Sequence, residues 1–107
     1  MVLFSATYCP FSFRVKQELR DRAVLYTAYE TNVLPNGRAL VAELGALTGR
    51  TSIPALFIAG VPIGGCNDGT PGLRPLIAAG GLEAALARCR PEWQERRMRA
   101  LAEAEAS

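Results

Sequence analysis

Apolar residues fall in short runs at some places along the chain and in four-residue steps at others. Val2, Leu3 and Phe4 form a run closed by Ser5-Ala6-Thr7, which predicts a buried strand. Pro10 opens a segment reaching about residue 21, in which Val15 and Leu19 lie one turn apart while Arg14, Lys16, Glu18 and Arg20 take other faces. That spacing predicts an amphipathic helix with proline in its first turn, where a missing N–H costs nothing. Residues 24–29, β-branched and aromatic, predict a second strand. Pro35-Asn36-Gly37 breaks the chain, and Leu40, Val41, Leu44 and Leu47 mark a helix over 38–48 that Gly49 stops. Residues 55–59 and 61–63 predict two more strands, joined as a hairpin through Gly60. Thr70-Pro71 signals a helix start, with Pro75 making its first turn irregular. Gly80-Gly81 precedes a helix over 82–89, and Pro91 opens a final polar helix.

Strand, helix, strand implies a right-handed parallel crossover. The hairpin then adds two strands antiparallel to each other, so the expected class is α/β, a four-stranded mixed sheet flanked by helices. At 107 residues the chain fits a single core, expected over 1–90, with a helical extension over 91–107. No repeat and no linker divides it.

Charge narrows the partners. Lys and Arg number 12 against 10 Asp and Glu, a net +2, so no nucleic-acid or membrane partner is expected. No apolar run approaches the roughly 20 residues a membrane helix needs. Met1 leads straight into the first strand without a basic start and an apolar stretch of secretory length. A cytoplasmic location is therefore expected, or an organellar one if a transit peptide is removed.

Three cysteines (Cys9, Cys66, Cys89) are too few and too unevenly placed for a disulfide scaffold, and the chain has no histidine. Cys–His and Ser–His nucleophile pairs are thereby excluded. A four-ligand zinc site would have to be assembled from scattered thiols and carboxylates, and no metal site is expected. Chemistry, if any, rests on thiols without an imidazole base.

One thiol is well placed. Cys9-Pro10-Phe11-Ser12 sits where the first strand gives way to the first helix. A cysteine just before the first helical residue faces unpaired N–H groups and the positive end of the helix dipole, both of which favour thiolate. Helix-start cysteines drop from about 8.5 into a range of roughly 3.5–7.5. Further along, Ser52-Ile53-Pro54 starts the third strand. A cis proline there would turn a strip of backbone outward, beside the thiol, for an extended peptide to pair with. Gly64-Gly65-Cys66-Asn67-Asp68 follows the hairpin, where paired glycines admit a ligand close to backbone and Asp68 could hold an ammonium group.

These stretches together resemble the glutaredoxin family over residues 1–89. Residues 2–12, Leu47-Thr48-Gly49, Ser52-Ile53-Pro54 and residues 63–68 look like its signatures. The resemblance implies a thioredoxin fold, with Cys9 as nucleophile in a groove for glutathione, the co-substrate. Phe11 would line the groove, and Ile53 beside cis Pro54 would pair with the cysteinyl part. Asn67 (through its backbone) and Asp68 would hold the γ-glutamyl end, and Gly65 and Cys66 would also bind glutathione. Glutathionylated proteins would be the other partners, and a monomer is expected. Ser12 stands where dithiol members carry a second cysteine, which implies a monothiol route. Ala6 and Val41 replace residues that normally hold the glycyl carboxylate, so Arg38, one turn before Val41, or Arg50 would substitute. The missing lysine at position 6 implies a less acidic Cys9 than in relatives.

Cys66 would pack beside the groove or trap Cys9 under oxidation, and Cys89 would be inert. The runner-up activity is a [2Fe–2S] carrier dimer with Cys9 as its protein ligand, disfavoured because proline follows the cysteine. A further alternative is a silent module whose tail, with Trp93, Met98 and Leu101, docks a partner.

Overall fold

The computed structural model describes residues 1–89 and Glu103. Of the extension expected over 91–107, only Glu103 is described; Trp93, Met98 and Leu101 lie outside the described residues. Strands β1 (Val2–Ser5), β2 (Thr27–Glu30), β3 (Ala55–Ile58) and β4 (Val61–Gly64) form one sheet in the order β2-β1-β3-β4. Helix α1 (Pro10–Asp21) is the crossover between parallel β1 and β2, while β3 lies antiparallel to both β1 and β4. Helices α2 (Gly37–Thr48), α3 (Leu73–Ala78) and α4 (Leu82–Leu86) complete the described elements. The mixed four-stranded sheet with flanking helices is the one expected.

Alternation along the strands decides which side is sealed. Leu3 of β1, Leu56 and Ile58 of β3 and Ile63 of β4 enter one core with Val15 and Leu19 of α1. Leu73 of α3 and Leu82, Ala85 and Leu86 of α4 close that core from the same side. Full burial of such a side chain stabilises by about 1.5–3 kcal/mol.

On the opposite face Phe4 stacks on Tyr29, ring centroids 5.6 Å apart, and meets Phe57 edge-on at 5.8 Å. Helix α2 covers this face only in part. Leu44 is buried, but Leu47, on the same helical spacing, is 76% exposed. An apolar groove of about 500 Å³ remains, lined among others by Val2, Phe4, Leu44, Leu47 and Phe57.

Three boundaries differ from expectation by more than one residue. The strand expected over 24–29 begins at Thr27, because Val24 is used to finish α1. Val24 N–H donates to the Leu19 carbonyl (2.9 Å) and Ala23 N–H to that of Arg20 (3.0 Å), with Ala23 at φ +55°. This is a Schellman ending, and Val24 and Leu19, both buried, make its hydrophobic contact. The helix expected from Thr70-Pro71 starts at Leu73 instead, since the Thr70–Pro71 bond is cis and the chain is still turning there. The helix expected to reach residue 89 ends at Leu86, followed by turns. Helix α2 ends as expected, at Gly49 with φ +76°.

Candidate active site

Cys9 is the N-cap of α1, in extended conformation (φ −86°, ψ 119°), with Pro10 at the first helical position. Its carbonyl accepts the first helical bond from Phe13 N–H at 3.1 Å, and its own N–H donates to the Ala6 carbonyl at 3.1 Å. The turn from Ala6 to Cys9 therefore swings the sulfur to the mouth of the helix. There Cys9 is partly exposed, with Sγ 3.9 Å from the Ile53 carbonyl oxygen. Burial raises the Cys9 pKa, but the opposing contributions win and it lies below the ordinary thiol value. The Ser12 hydroxyl, the N–H groups of Ser12 and Phe11, and the charge of Lys16 favour the thiolate.

Each of these groups is itself held. Ser12 is fully buried, and its Oγ accepts from Ala6 N–H at 3.3 Å. Lys16 pairs with Glu30 of β2, whose carboxylate also accepts from the buried Ser5 hydroxyl at 2.7 Å. The Lys16 charge thus acts on Cys9 from two turns into α1. Burial works against the Glu30 carboxylate, yet Lys16 and Ser5 hold its pKa below the usual value.

The loop before Cys9 is tied to the end of β2. Thr7 N–H donates to Asn32 Oδ1 at 3.0 Å and Asn32 Nδ2 to Thr7 Oγ1 at 2.7 Å. Thr31 bonds the Ser5 carbonyl through both its N–H (2.8 Å) and its hydroxyl (3.0 Å). Sequence reasoning had singled out none of Lys16, Glu30, Thr31 and Asn32. For Lys16 a signal existed: it lies seven residues after Cys9, two turns along one helix face.

The second wall comes from the two backbone stretches on either side of the hairpin. The Ile53–Pro54 bond is cis, as the sequence suggested. A groove of about 440 Å³ lies between this strip and the loop after β4, within the roughly 300–1,000 Å³ of small-molecule sites. Of the residues singled out in the sequence, Phe11, Ile53, Pro54, Gly65, Cys66, Asn67 and Asp68 line it, joined by Arg50 and Ser52. Arg38 is exposed on the first turn of α2 and is not among the lining residues; Arg50 is.

The loop is held tightly. Gly64, at φ +104°, lies so close to Gly69 that a Cβ would stand 2.6 Å from its Cα. A Cβ on Gly65 would be 3.1 Å from Asp68 Oδ1. Gly65 N–H donates to the Asp68 carbonyl at 2.8 Å. The first-turn N–H groups of α3, on Leu73 and Arg74, donate to the carbonyls of Gly65 (2.9 Å) and Cys66 (2.8 Å). Arg74 Nη1 reaches Asn67 Oδ1 at 3.3 Å. Cys66 is 2% exposed and belongs to the core; burial raises its pKa above the ordinary thiol value. All three cysteines are free.

Comparison with known proteins agrees with this geometry. Residues 1–63, more than half of the chain, match the family model described as Glutaredoxin. Glutaredoxin-C4, chloroplastic, from Oryza sativa subsp. japonica is 46% identical over 68 residues, covering 64% of this chain and 51% of that protein. Monothiol glutaredoxin-S6 from the same species is 35% identical over 68 residues, covering 64% and 52% respectively. The chain thus spans about half the length of these curated relatives. Among solved structures, the buckwheat glutaredoxin–glutathione complex superposes with a TM-score of 0.76 at 33% identity, covering 82% of this chain and 76% of that one. The holo form of glutaredoxin C1 from Populus tremula x tremuloides gives 0.74 at 35% identity, covering 80% and 74%.

Proposed function

The chain belongs to the glutaredoxin family, with its thioredoxin fold, and from that premise we propose that it reduces protein–glutathione mixed disulfides by a monothiol route. The observation that carries the reading is the Cys9 sulfur at the mouth of α1, its pKa lowered, within reach of the Ile53 carbonyl beside cis Pro54. The buckwheat relative, whose structure is named as a glutathione complex, supports the choice of co-substrate.

In the first step the Cys9 thiolate attacks the glutathionyl sulfur of the mixed disulfide. A sulfur–sulfur bond forms to Cys9, the old one breaks, and the target protein leaves as thiolate and takes a proton from water. In the second step the thiolate of a free glutathione attacks the glutathionyl sulfur on Cys9. Oxidised glutathione departs and Cys9 is again a thiolate, stabilised as before by Ser12 and the helix N–H groups. A low pKa serves both steps, since it supplies the anion at neutral pH and makes Cys9 a good leaving group. Ser12 has no thiol with which to resolve the intermediate internally. Ile53, through its backbone, and Asp68 would orient the tripeptide, with Phe11 along the groove.

A coupled assay on a glutathionylated peptide tests this. Wild type turns over, and Cys9→Ser falls by roughly a thousandfold or more. Normal turnover by Cys9→Ser would end the proposal. We further propose a monomer acting in a reducing compartment, cytoplasmic in the first instance; imaging of the tagged protein decides, since the rice relative is named chloroplastic. Among the described residues no helix is long and apolar enough to cross a membrane.

The [2Fe–2S] carrier dimer is the second reading, disfavoured because Pro10 follows Cys9. Among the described residues no group of three or more His, Cys, Asp and Glu could hold a metal, and Cys66 is buried with its thiol protonated. One chain would offer Cys9 alone. Reconstitution with iron and sulfide should leave a colourless monomer; visible absorption with dimerisation would reverse the preference.

A further inference from the structure

The sheet is sealed on the side of α1, α3 and α4, but its other face stays partly open. There the apolar groove beside α2 is walled by Val2, Phe4 and Phe57 of the sheet and by Leu44 and Leu47 of the helix. A cavity of about 150 Å³ already holds a benzene ring. At about 500 Å³ this groove takes a large aromatic side chain with room for a second group. Leu47 stands exposed on its rim, and Phe4 and Phe57 meet edge-on within it. Large apolar surfaces left open in this way mark interaction sites.

The remaining wall indicates the occupant. Arg88 and Cys89, last of the continuously described residues, line the groove, so residues 90–107 start from its edge. Trp93 follows four residues after Cys89, at most about 14 Å along an extended chain. Beyond Pro91 the sequence has a helical stripe of Trp93, Ala100, Leu101 and Ala104, with the apolar stem of Arg97 beside it. Glu95, Arg99 and Glu103 fall on the opposite face of that stripe. Glu103, which the structure describes, is helical and exposed, as the polar face requires. Tethering favours this occupant over any other. A segment joined at the groove's edge meets it at an effective concentration of about millimolar, above that of an ordinary separate partner.

We propose that the C-terminal segment docks as a helix in this groove of its own chain, with Trp93 as the anchor and Leu101 two turns on. The docked helix completes the layer that α2 supplies only in part. None of the residues lining this groove lines the one beside Cys9, so the docking is independent of the redox chemistry.

Trp93 is the chain's only tryptophan, so its fluorescence reports on the segment without a label. In the full-length wild type its emission should lie to the blue of free tryptophan, resist acrylamide quenching and stay constant on dilution. Leu47→Lys places a charge on the rim of the groove, and lysine suits the last turn of α2, so the helix is kept. That variant should shift the emission to the red and raise acrylamide quenching severalfold, while Cys9 alkylation keeps its wild-type rate. Trp93→Ala should empty the groove and bind the apolar dye ANS, which wild type excludes.

A wild type whose Trp93 is quenched as freely as that of a short peptide overturns the proposal. So does a blue-shifted emission that Leu47→Lys leaves untouched, since the segment would then dock elsewhere, or equal dye binding by wild type and Trp93→Ala. An emission that moves to the red on dilution, with a dimer on gel filtration, gives the groove to a second copy and overturns it too.

Discussion

Cys9 and Cys66 lie against the same groove, one within reach of Ile53 and the other in the opposite wall, yet their surroundings drive them apart. Burial opposes ionisation of both. At Cys9 it is outweighed by a hydroxyl and two backbone N–H groups that converge on the sulfur, with Lys16 behind them. At Cys66 the nearby charges are mixed, Arg74 and Arg14 against Glu18 and Asp68, and burial prevails. Closeness to a ligand groove therefore does not make a thiol reactive. Donors aimed at the anion do, and a helix N-terminus supplies them in a fixed direction.

The largest contrast should appear on alkylation of the native protein. At neutral pH iodoacetamide should label Cys9 at least about a hundredfold faster than Cys66, as the thiolate is the nucleophile. Comparable rates, read by peptide mass spectrometry, would erase the distinction. Ser12→Ala narrows the gap from the Cys9 side. It removes a hydrogen bond to the anion, so labelling below neutral pH should slow by about tenfold, while turnover at higher pH is largely kept. An unchanged pH profile would assign the lowered pKa to the helix N–H groups and Lys16.

Cys66→Ser probes the other wall. A hydroxyl in that core without a partner should cost about 1–3 kcal/mol in urea unfolding. The smallest effect concerns the support behind Cys9. The folded pKa of Glu30 lies below its unfolded value, so its stabilisation is present above that unfolded value and fades as pH falls through the folded one. Glu30→Gln should therefore lower the unfolding midpoint at neutral pH and converge with wild type in acid. A deficit that stays constant with pH would mean that packing, not charge, is what Glu30 contributes.

Much of this arrangement could be read from local sequence, because its parts are set by backbone chemistry. Pro10 marks the start of α1 and Gly49 the end of α2, while Gly60 joins the two strands of the hairpin; each acts on its nearest neighbours. What escaped detection depended on distant partners. Val24 has the composition of a strand residue, but Leu19 and an αL Ala23 turned it into the end of a helix. Leu47 keeps the helical spacing of Leu40 and Leu44, yet it stays exposed at the rim of the apolar groove with Val2, Phe4 and Phe57. Arg38 and Arg50 were equal candidates on charge alone; only the fold brings Arg50 to Asp68. Ser12 was legible as an absent thiol but not as a donor, since its direction is set by the turn at Ala6.

The grip of α3 on the loop after β4 has an effect beyond stiffness. A trans peptide unit points its C=O and N–H in opposite directions. With the carbonyls of Gly65 and Cys66 drawn onto α3, the amides of Cys66 and Asn67 must face away from that helix. The polypeptide thereby offers two oriented donors whose aim is indifferent to which side chains stand at 66 and 67. It depends instead on Gly72, whose φ of +94° lets the chain enter α3 at the required angle.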